Sequence, residues 1–239
     1  MKKSNILGDI NSIETMGLVD GPGIRFVVFL QGCPLRCKYC HNPETWATKT
    51  GNIKMSPEEL IEKALRYKNY YGEDGGITFS GGEPLVQKEF LIECLKLCKK
   101  YKINTAIDTA GSTTDYNEIL DLVDLVIFDI KSYKKDQYKE ITGRDITNSL
   151  KFLYTCQKKN KKMWLRTVIV PGINDNEQFI LGLKNFIKDL KNIDKVELLP
   201  YHTLGKDKYK KLNIDYKLKD ILPMDEEKCK ELQQLLNDR

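Results

Sequence analysis

Six short apolar runs rich in β-branched residues, separated by stretches with helical spacing, constrain this chain more than any other feature. The runs are Ile24–Leu30, Ile77–Ser80, Asn104–Asp108, Leu125–Ile130, Trp164–Val170 and Val196–Pro200. They read as strands. Between them, Pro57–Lys68, Lys88–Lys100, Tyr116–Leu122, Thr147–Asn160 and Glu177–Lys191 read as amphipathic helices, and Asp225–Asn237 as a terminal helix. Ser56, with Glu59 three residues on, has the form of a capping box. Alternating strands and helices predict right-handed βαβ units and a parallel sheet. Six strands suit an open doubly wound sheet or a partial barrel, and the pattern alone leaves both open. No repeat, low-complexity linker or composition break interrupts the 239 residues, so one α/β domain over 1–239 is expected.

Charge and composition exclude some functions. The net charge of +5 is too mild to argue for nucleic acid, though it suits an acidic protein partner. No run of roughly 18 apolar residues is present, so no membrane span is expected. Residues 1–14 are polar and lack the apolar stretch of a signal peptide. A cytoplasmic location follows as an expectation. In that reducing setting the seven cysteines do not read as a disulfide framework.

Each predicted strand runs into residues capable of chemistry. The first leads to a cysteine-rich loop and the second to Gly81-Gly82-Glu83-Pro84. The third ends at Asp108, and the fourth near Asp129 and Lys131. The fifth carries Arg166, and the sixth leads to Tyr201-His202. Parallel-sheet enzymes keep their sites at the carboxyl ends of strands. Six such endings predict one shared rim.

Three cysteines crowd into the loop Cys33-Pro34-Leu35-Arg36-Cys37-Lys38-Tyr39-Cys40, in the pattern C-x-x-x-C-x-x-C. Thiolates at this spacing favour zinc or an iron–sulfur centre. A structural zinc usually takes four ligands. Three ligands on a four-iron cluster leave one iron open to a substrate. Two alternatives stand beside that reading: a zinc site completed by His41, and c-type haem attachment at Cys37, Cys40 and His41. The haem reading needs export and leaves Cys33 unexplained. Cys94, Cys98, Cys156 and Cys229 fall on predicted helices and read as small core hydrophobes.

At these residues the chain resembles the radical S-adenosylmethionine (SAM) superfamily, whose signature is C-x-x-x-C-x-x-C. Gly81-Gly82-Glu83 looks like the second motif of that superfamily. Asp20-Gly21-Pro22-Gly23-Ile24-Arg25 is similar to the D-G-P-G-I-R signature of glycyl-radical activating enzymes. Trp164-Leu165-Arg166, Val170-Pro171-Gly172 and Leu198-Leu199-Pro200-Tyr201-His202 resemble segments of the pyruvate formate-lyase activating family. Many activases of other glycyl-radical enzymes carry a cysteine-rich insertion between the cluster loop and the Gly-Gly-Glu strand. Here no further cysteine lies between Cys40 and Ser80, which favours the pyruvate formate-lyase type.

The resemblance implies a partial (β/α)6 TIM-type barrel, the radical SAM core. It implies reductive cleavage of SAM at a 4Fe-4S cluster, then hydrogen removal from a glycine of pyruvate formate-lyase by the 5′-deoxyadenosyl radical. Cys33, Cys37 and Cys40 would hold the cluster. Tyr39, His41, Gly81, Gly82, Glu83, Asp108, Asp129, Ile130, Lys131, Arg166 and His202 would bind SAM. A monovalent cation is expected near Asp108 and Asp129. Asp20, Gly21 and Gly23 would receive the partner's glycine loop. Flavodoxin or ferredoxin is the expected electron donor, and a monomer the expected state. Alternatives are an activase of another glycyl-radical enzyme and a zinc-stabilised interaction module. The lysine-rich segment Lys206–Lys219 reads as a solvated basic loop or a docking surface.

Overall fold

The computed structural model describes residues 5–238; the first four residues of the polar N-terminal stretch, and Arg239, lie outside that range. Among the described residues eight strands form one sheet: β1 (Gly8–Gly17), β2 (Arg25–Leu30), β3 (Ile53–Met55), β4 (Gly76–Gly81), β5 (Asn104–Thr109), β6 (Leu125–Asp129), β7 (Lys162–Ile169) and β8 (Ile193–Pro200). Eight α-helices accompany them among the same residues: α1 (Pro57–Leu65), α2 (Lys88–Lys100), α3 (Asn117–Leu122), α4 (Lys135–Thr142), α5 (Thr147–Lys158), α6 (Glu177–Ile187), α7 (Lys206–Lys211) and α8 (Glu226–Asn237). All six expected strands are present. The capping box also forms: the Glu59 amide donates to the Ser56 hydroxyl at 3.2 Å, and the Ser56 amide to the Glu59 carboxylate at 3.0 Å.

The strand order is β3-β1-β2-β4-β5-β6-β7-β8. From β2 to β8 every pairing is parallel, and neighbours follow the chain order. A doubly wound sheet would reverse direction at a switch point. This one never reverses, so its six parallel strands wind one way, as in a barrel cut open. The antiparallel strands β1 and β3 extend the edge beside β2.

Alternation along the strands separates two layers. Ile107, Val126, Phe128 and Leu165 join the main core with the helices. Ala106, Leu125 and Ile127 form a smaller cluster with Trp164 on the other side of the sheet. Two residues beyond these inner positions lie Asp108, Asp129 and Arg166. Side chains of one parity share one face. The polar strand ends therefore rise on the concave side, above a short apolar floor.

Four elements were not foreseen. β1 has no apolar run, and its middle alternates between half-buried and exposed residues. β3 is three residues long. α4 and α7 are lysine-rich, and each buries a tyrosine, Tyr138 and Tyr209. The segment expected as a solvated loop, Lys206–Lys219, is thus partly helical, with Tyr209, Tyr216 and Leu218 buried.

Candidate active site at the rim of the parallel strands

The loop after β2 is tied down on several sides. Gln31 is buried, and its amide nitrogen donates to the Glu44 carbonyl at 2.6 Å, the Ala47 carbonyl at 2.9 Å and the Thr50 hydroxyl at 2.8 Å. The Cys33 amide donates to the Trp46 carbonyl at 3.2 Å. The Arg36 and Lys38 amides donate to the Thr142 and Ile141 carbonyls at 2.8 and 2.9 Å. The end of α4 thus satisfies its orphan carbonyls with the cysteine loop. From the other side, the Tyr209 hydroxyl donates to the Cys40 carbonyl at 2.9 Å, and the Lys208 ammonium reaches Glu44 at 2.5 Å.

This anchored loop forms one wall of a cavity of about 270 Å³ at the carboxyl ends of the strands. Cys33, Cys37, Tyr39, Cys40 and His41 line that wall. Gly81, Gly82 and Glu83 line another part. Asp20, Asp108, Asp129, Lys131 and Arg166 complete the polar lining. A larger open concavity, about 1050 Å³, lies at the opposite, amino ends of the strands; lysine, aspartate and asparagine side chains dominate it, with no cysteine.

Charge is arranged in a linked series. The Lys131 ammonium lies 2.7 Å from Asp129. Burial alone would lower its pKa, but Asp129, Tyr39 and Cys37 hold it well above the usual range. Arg166 sits 3.9 Å from Asp108 and 3.2 Å from Glu197, and also donates to the Val19 carbonyl. Asp108 accepts from the Ser80 hydroxyl at 3.2 Å. Burial, then the Asp129 charge, push its carboxyl up to about 7 against the pull of Arg166.

The Gly-Gly-Glu turn is built by packing. Gly81 has φ +108°, the region that favours glycine. A Cβ on Gly82 would come within 2.3 Å of the Gly32 carbonyl oxygen, so the glycine admits the root of the cysteine loop. Glu83 is fully buried. Its carboxylate accepts from the Thr109 hydroxyl, the Ala110 amide at 3.3 Å, and the Ser112 hydroxyl at 3.1 Å. It joins the exits of β4 and β5.

Other expected residues lie outside the lining. Ile130 is a core residue whose amide donates to the Arg166 carbonyl at 2.7 Å. His202 stacks on His41, with ring centres 3.7 Å apart, and the His41 Nε2 donates to the His202 carbonyl at 3.0 Å. Gly21 packs by Arg25, and Gly23 by the Gly75 backbone. Trp46 also lines the cavity, while Gln31 and Glu197 brace it from outside the lining, Gln31 through the cysteine loop and Glu197 through Arg166; all three were missed. No local pattern marks them, because their partners lie on other elements.

The site fits a cluster and a polar cofactor. Burial pushes the Cys33 and Cys37 thiols up to about 12, and raises Cys40 also, so without a metal they stay protonated. No trio of ligands among the described residues is placed for a single metal ion. Three cysteine thiols in one cavity wall, beside polar strand ends, are a donor set that suits a four-iron cluster with one iron left open. The Tyr39 hydroxyl and the His202 Nδ1 are buried polar atoms lacking a partner, open to one from a bound molecule.

The sequence and structure match known proteins consistently. Residues 27–182 match the Radical SAM superfamily. A pyruvate formate-lyase-activating enzyme from Clostridium pasteurianum is 54% identical, with 98% of each chain covered. The pyruvate formate-lyase 1-activating enzyme of Escherichia coli K12 is 38% identical over 97% of this chain and 96% of its own. A crystal structure of a domain of a Bacteroides vulgatus pyruvate-formate lyase-activating enzyme superposes with TM-score 0.57 at 26% identity, covering 69% of this chain and 94% of that one. A radical SAM methyltransferase from Sphaerobacter thermophilus shares the fold, with TM-score 0.64 at 15% identity over 89% of this chain and 63% of that one. The chain belongs to the radical SAM superfamily and, within it, to the pyruvate formate-lyase-activating enzymes.

Proposed function

We propose that this protein activates pyruvate formate-lyase by generating a glycyl radical on it, using SAM and a 4Fe-4S cluster in the rim cavity. The observation that carries this reading is the meeting of three loop thiols with the Gly-Gly-Glu turn, two strand-end carboxylates, Lys131 and Arg166 in one cavity. When bound, the cluster and SAM supply the electron and the adenosyl fragment that takes a hydrogen atom from the partner's glycine.

The protein's own residues bind, orient and shield. Cys33, Cys37 and Cys40 hold the cluster and give up their protons to do so. The Lys131 ammonium, already fixed by Asp129, offers a charge to the SAM carboxylate. Gly81 and Gly82 let the backbone approach SAM closely, while Glu83 holds the turn rigid. Tyr39, His41 and His202 would hold the adenine. Ile130 acts through its amide, which fixes the strand end. Asp108 and Asp129 would bind a monovalent cation, which would offset the Asp129 charge that adds to burial in raising Asp108. Arg166 balances the same carboxylates and holds the segment before Asp20 through the Val19 carbonyl. Asp20 stands at the mouth, and Gly21 and Gly23 shape the loop that receives the partner's glycine segment.

One catalytic domain, acting as a cytoplasmic monomer with flavodoxin or ferredoxin as electron donor, completes the reading. Among the described residues no helix is long and apolar enough to cross a membrane.

The test is anaerobic reconstitution followed by iron and sulfide analysis and measurement of 5′-deoxyadenosine release. Wild-type protein should load a 4Fe-4S cluster and cleave SAM, whereas Cys37→Ala should do neither while remaining folded. A cluster-loaded, active Cys37→Ala protein would refute the ligand assignment.

A further inference from the structure

The outer side of the cysteine loop carries charge that the rim cavity does not use. The Arg36 and Lys38 amides donate to the last carbonyls of α4, so the loop runs alongside the end of that helix. Two guanidiniums are fastened to the same loop. Arg36 donates to the Cys33 and Leu35 carbonyls, both at 2.7 Å. Arg144, just past α4, donates through Nε to the Pro34 carbonyl at 3.1 Å. Both residues are exposed, and neither lines the cavity. Among the described residues neither guanidinium has a carboxylate within ion-pair distance, and the same holds for the exposed Lys139 of α4. Lys38 alone is paired, with Glu140 at 2.6 Å. Residues 34–40 and 134–145 together hold six lysines and arginines against three carboxylates, in a chain whose net charge is +5.

A guanidinium has five N–H donors, and its fork meets both oxygens of a carboxylate at once. Arg36 uses only Nη1 for the loop and Arg144 only Nε, so each keeps donors for a partner. Hydrogen removal from a glycine requires entry to the cavity. An electron needs only close approach through the loop backbone that bears the cysteines. A carrier seated on the outer face therefore leaves the mouth free for the substrate protein.

We propose that Arg36, Arg144 and Lys139 form the docking surface for a small acidic redox protein, which reduces the cluster through the cysteine loop. The inference rests on reading Cys33, Cys37 and Cys40 as cluster ligands. The carrier is oxidised by one electron as the cluster is reduced by one, and no proton or group moves with it.

The test uses the reconstituted holoenzyme and an acidic flavodoxin as probe. The double variant Arg36→Gln, Arg144→Gln should bind flavodoxin about tenfold more weakly, chiefly through slower association, and with a flatter salt dependence. Lys139→Glu should weaken binding in the same direction. With dithionite, a small reductant that needs no docking surface, both variants should reduce the cluster and cleave SAM as the wild type does. Wild-type flavodoxin affinity in the loaded variants overturns the inference. So does a loss of affinity for pyruvate formate-lyase in place of flavodoxin, which would assign this face to the substrate protein. If the double variant fails to load a cluster, unchanged flavodoxin binding by Lys139→Glu overturns the inference by itself. A wild-type protein that loads no cluster would instead overturn the ligand reading, and this inference with it.

Discussion

Asp108 shows how a single residue reports the state of the site. Its carboxyl is buried beside Asp129, and in the folded protein it is pushed up to about 7, from an ordinary value of 3.8. Between those values the folded protein binds a proton that the unfolded chain has released. The stability this contributes is full below about pH 4 and lost as pH rises through about 7. Cluster-free wild-type protein should therefore lose thermal stability from pH 5 to pH 8. Asp108→Asn, which cannot ionise, should lose less over that window. Equal slopes in melting experiments would show that Asp108 is not held protonated. The same residue was legible in the sequence as a strand-end carboxylate. Its pairing with Ser80 and Arg166 was not, because those contacts cross from β4 and β7.

At the scale of elements, the site depends on how the β4 turn meets the cysteine loop. Gly82→Ala would place a Cβ 2.3 Å from the Gly32 carbonyl oxygen and 3.0 Å from that of Thr45. Backbone must move to admit it, at a cost of about 1–3 kcal/mol for an overpacked position. We expect the variant to melt earlier and to retain less cluster after gel filtration. Unchanged cluster retention would mean that this packing does not govern the loop. The six parallel strands were readable because buried parallel strands are continuous apolar runs. α2 matched its expected limits, Lys88–Lys100, because Cys94, Cys98 and its other apolar residues repeat at helical spacing. β1 was missed because its apolar residues are few. α4 and α7 were missed because each is short and largely charged, with only Tyr138, Ile141 and Thr142 buried in α4 and Tyr209 in α7. These three elements matter to function: β1 extends the sheet beside β2, and both helices clamp the cysteine loop.

For the whole molecule, one-way winding gathers the rim into a single concave site. The chemistry-bearing residues come from the endings of strands far apart in the chain, and the inner apolar cluster supports them from below. The three-cysteine motif, the Gly-Gly-Glu turn and the D-G-P-G-I-R segment made this site recognisable from sequence. Its supporting residues, Gln31, Trp46 and Glu197, emerged only in three dimensions. The assembly as a whole is suited to placing a radical on a glycine of pyruvate formate-lyase. The most direct measurement is electron paramagnetic resonance of an anaerobic mixture of cluster-loaded protein, reductant, SAM and pyruvate formate-lyase. A protein glycyl radical should appear only when SAM is present and be absent with Cys37→Ala. A loaded cluster that cleaves SAM yet leaves pyruvate formate-lyase without a radical would contradict it.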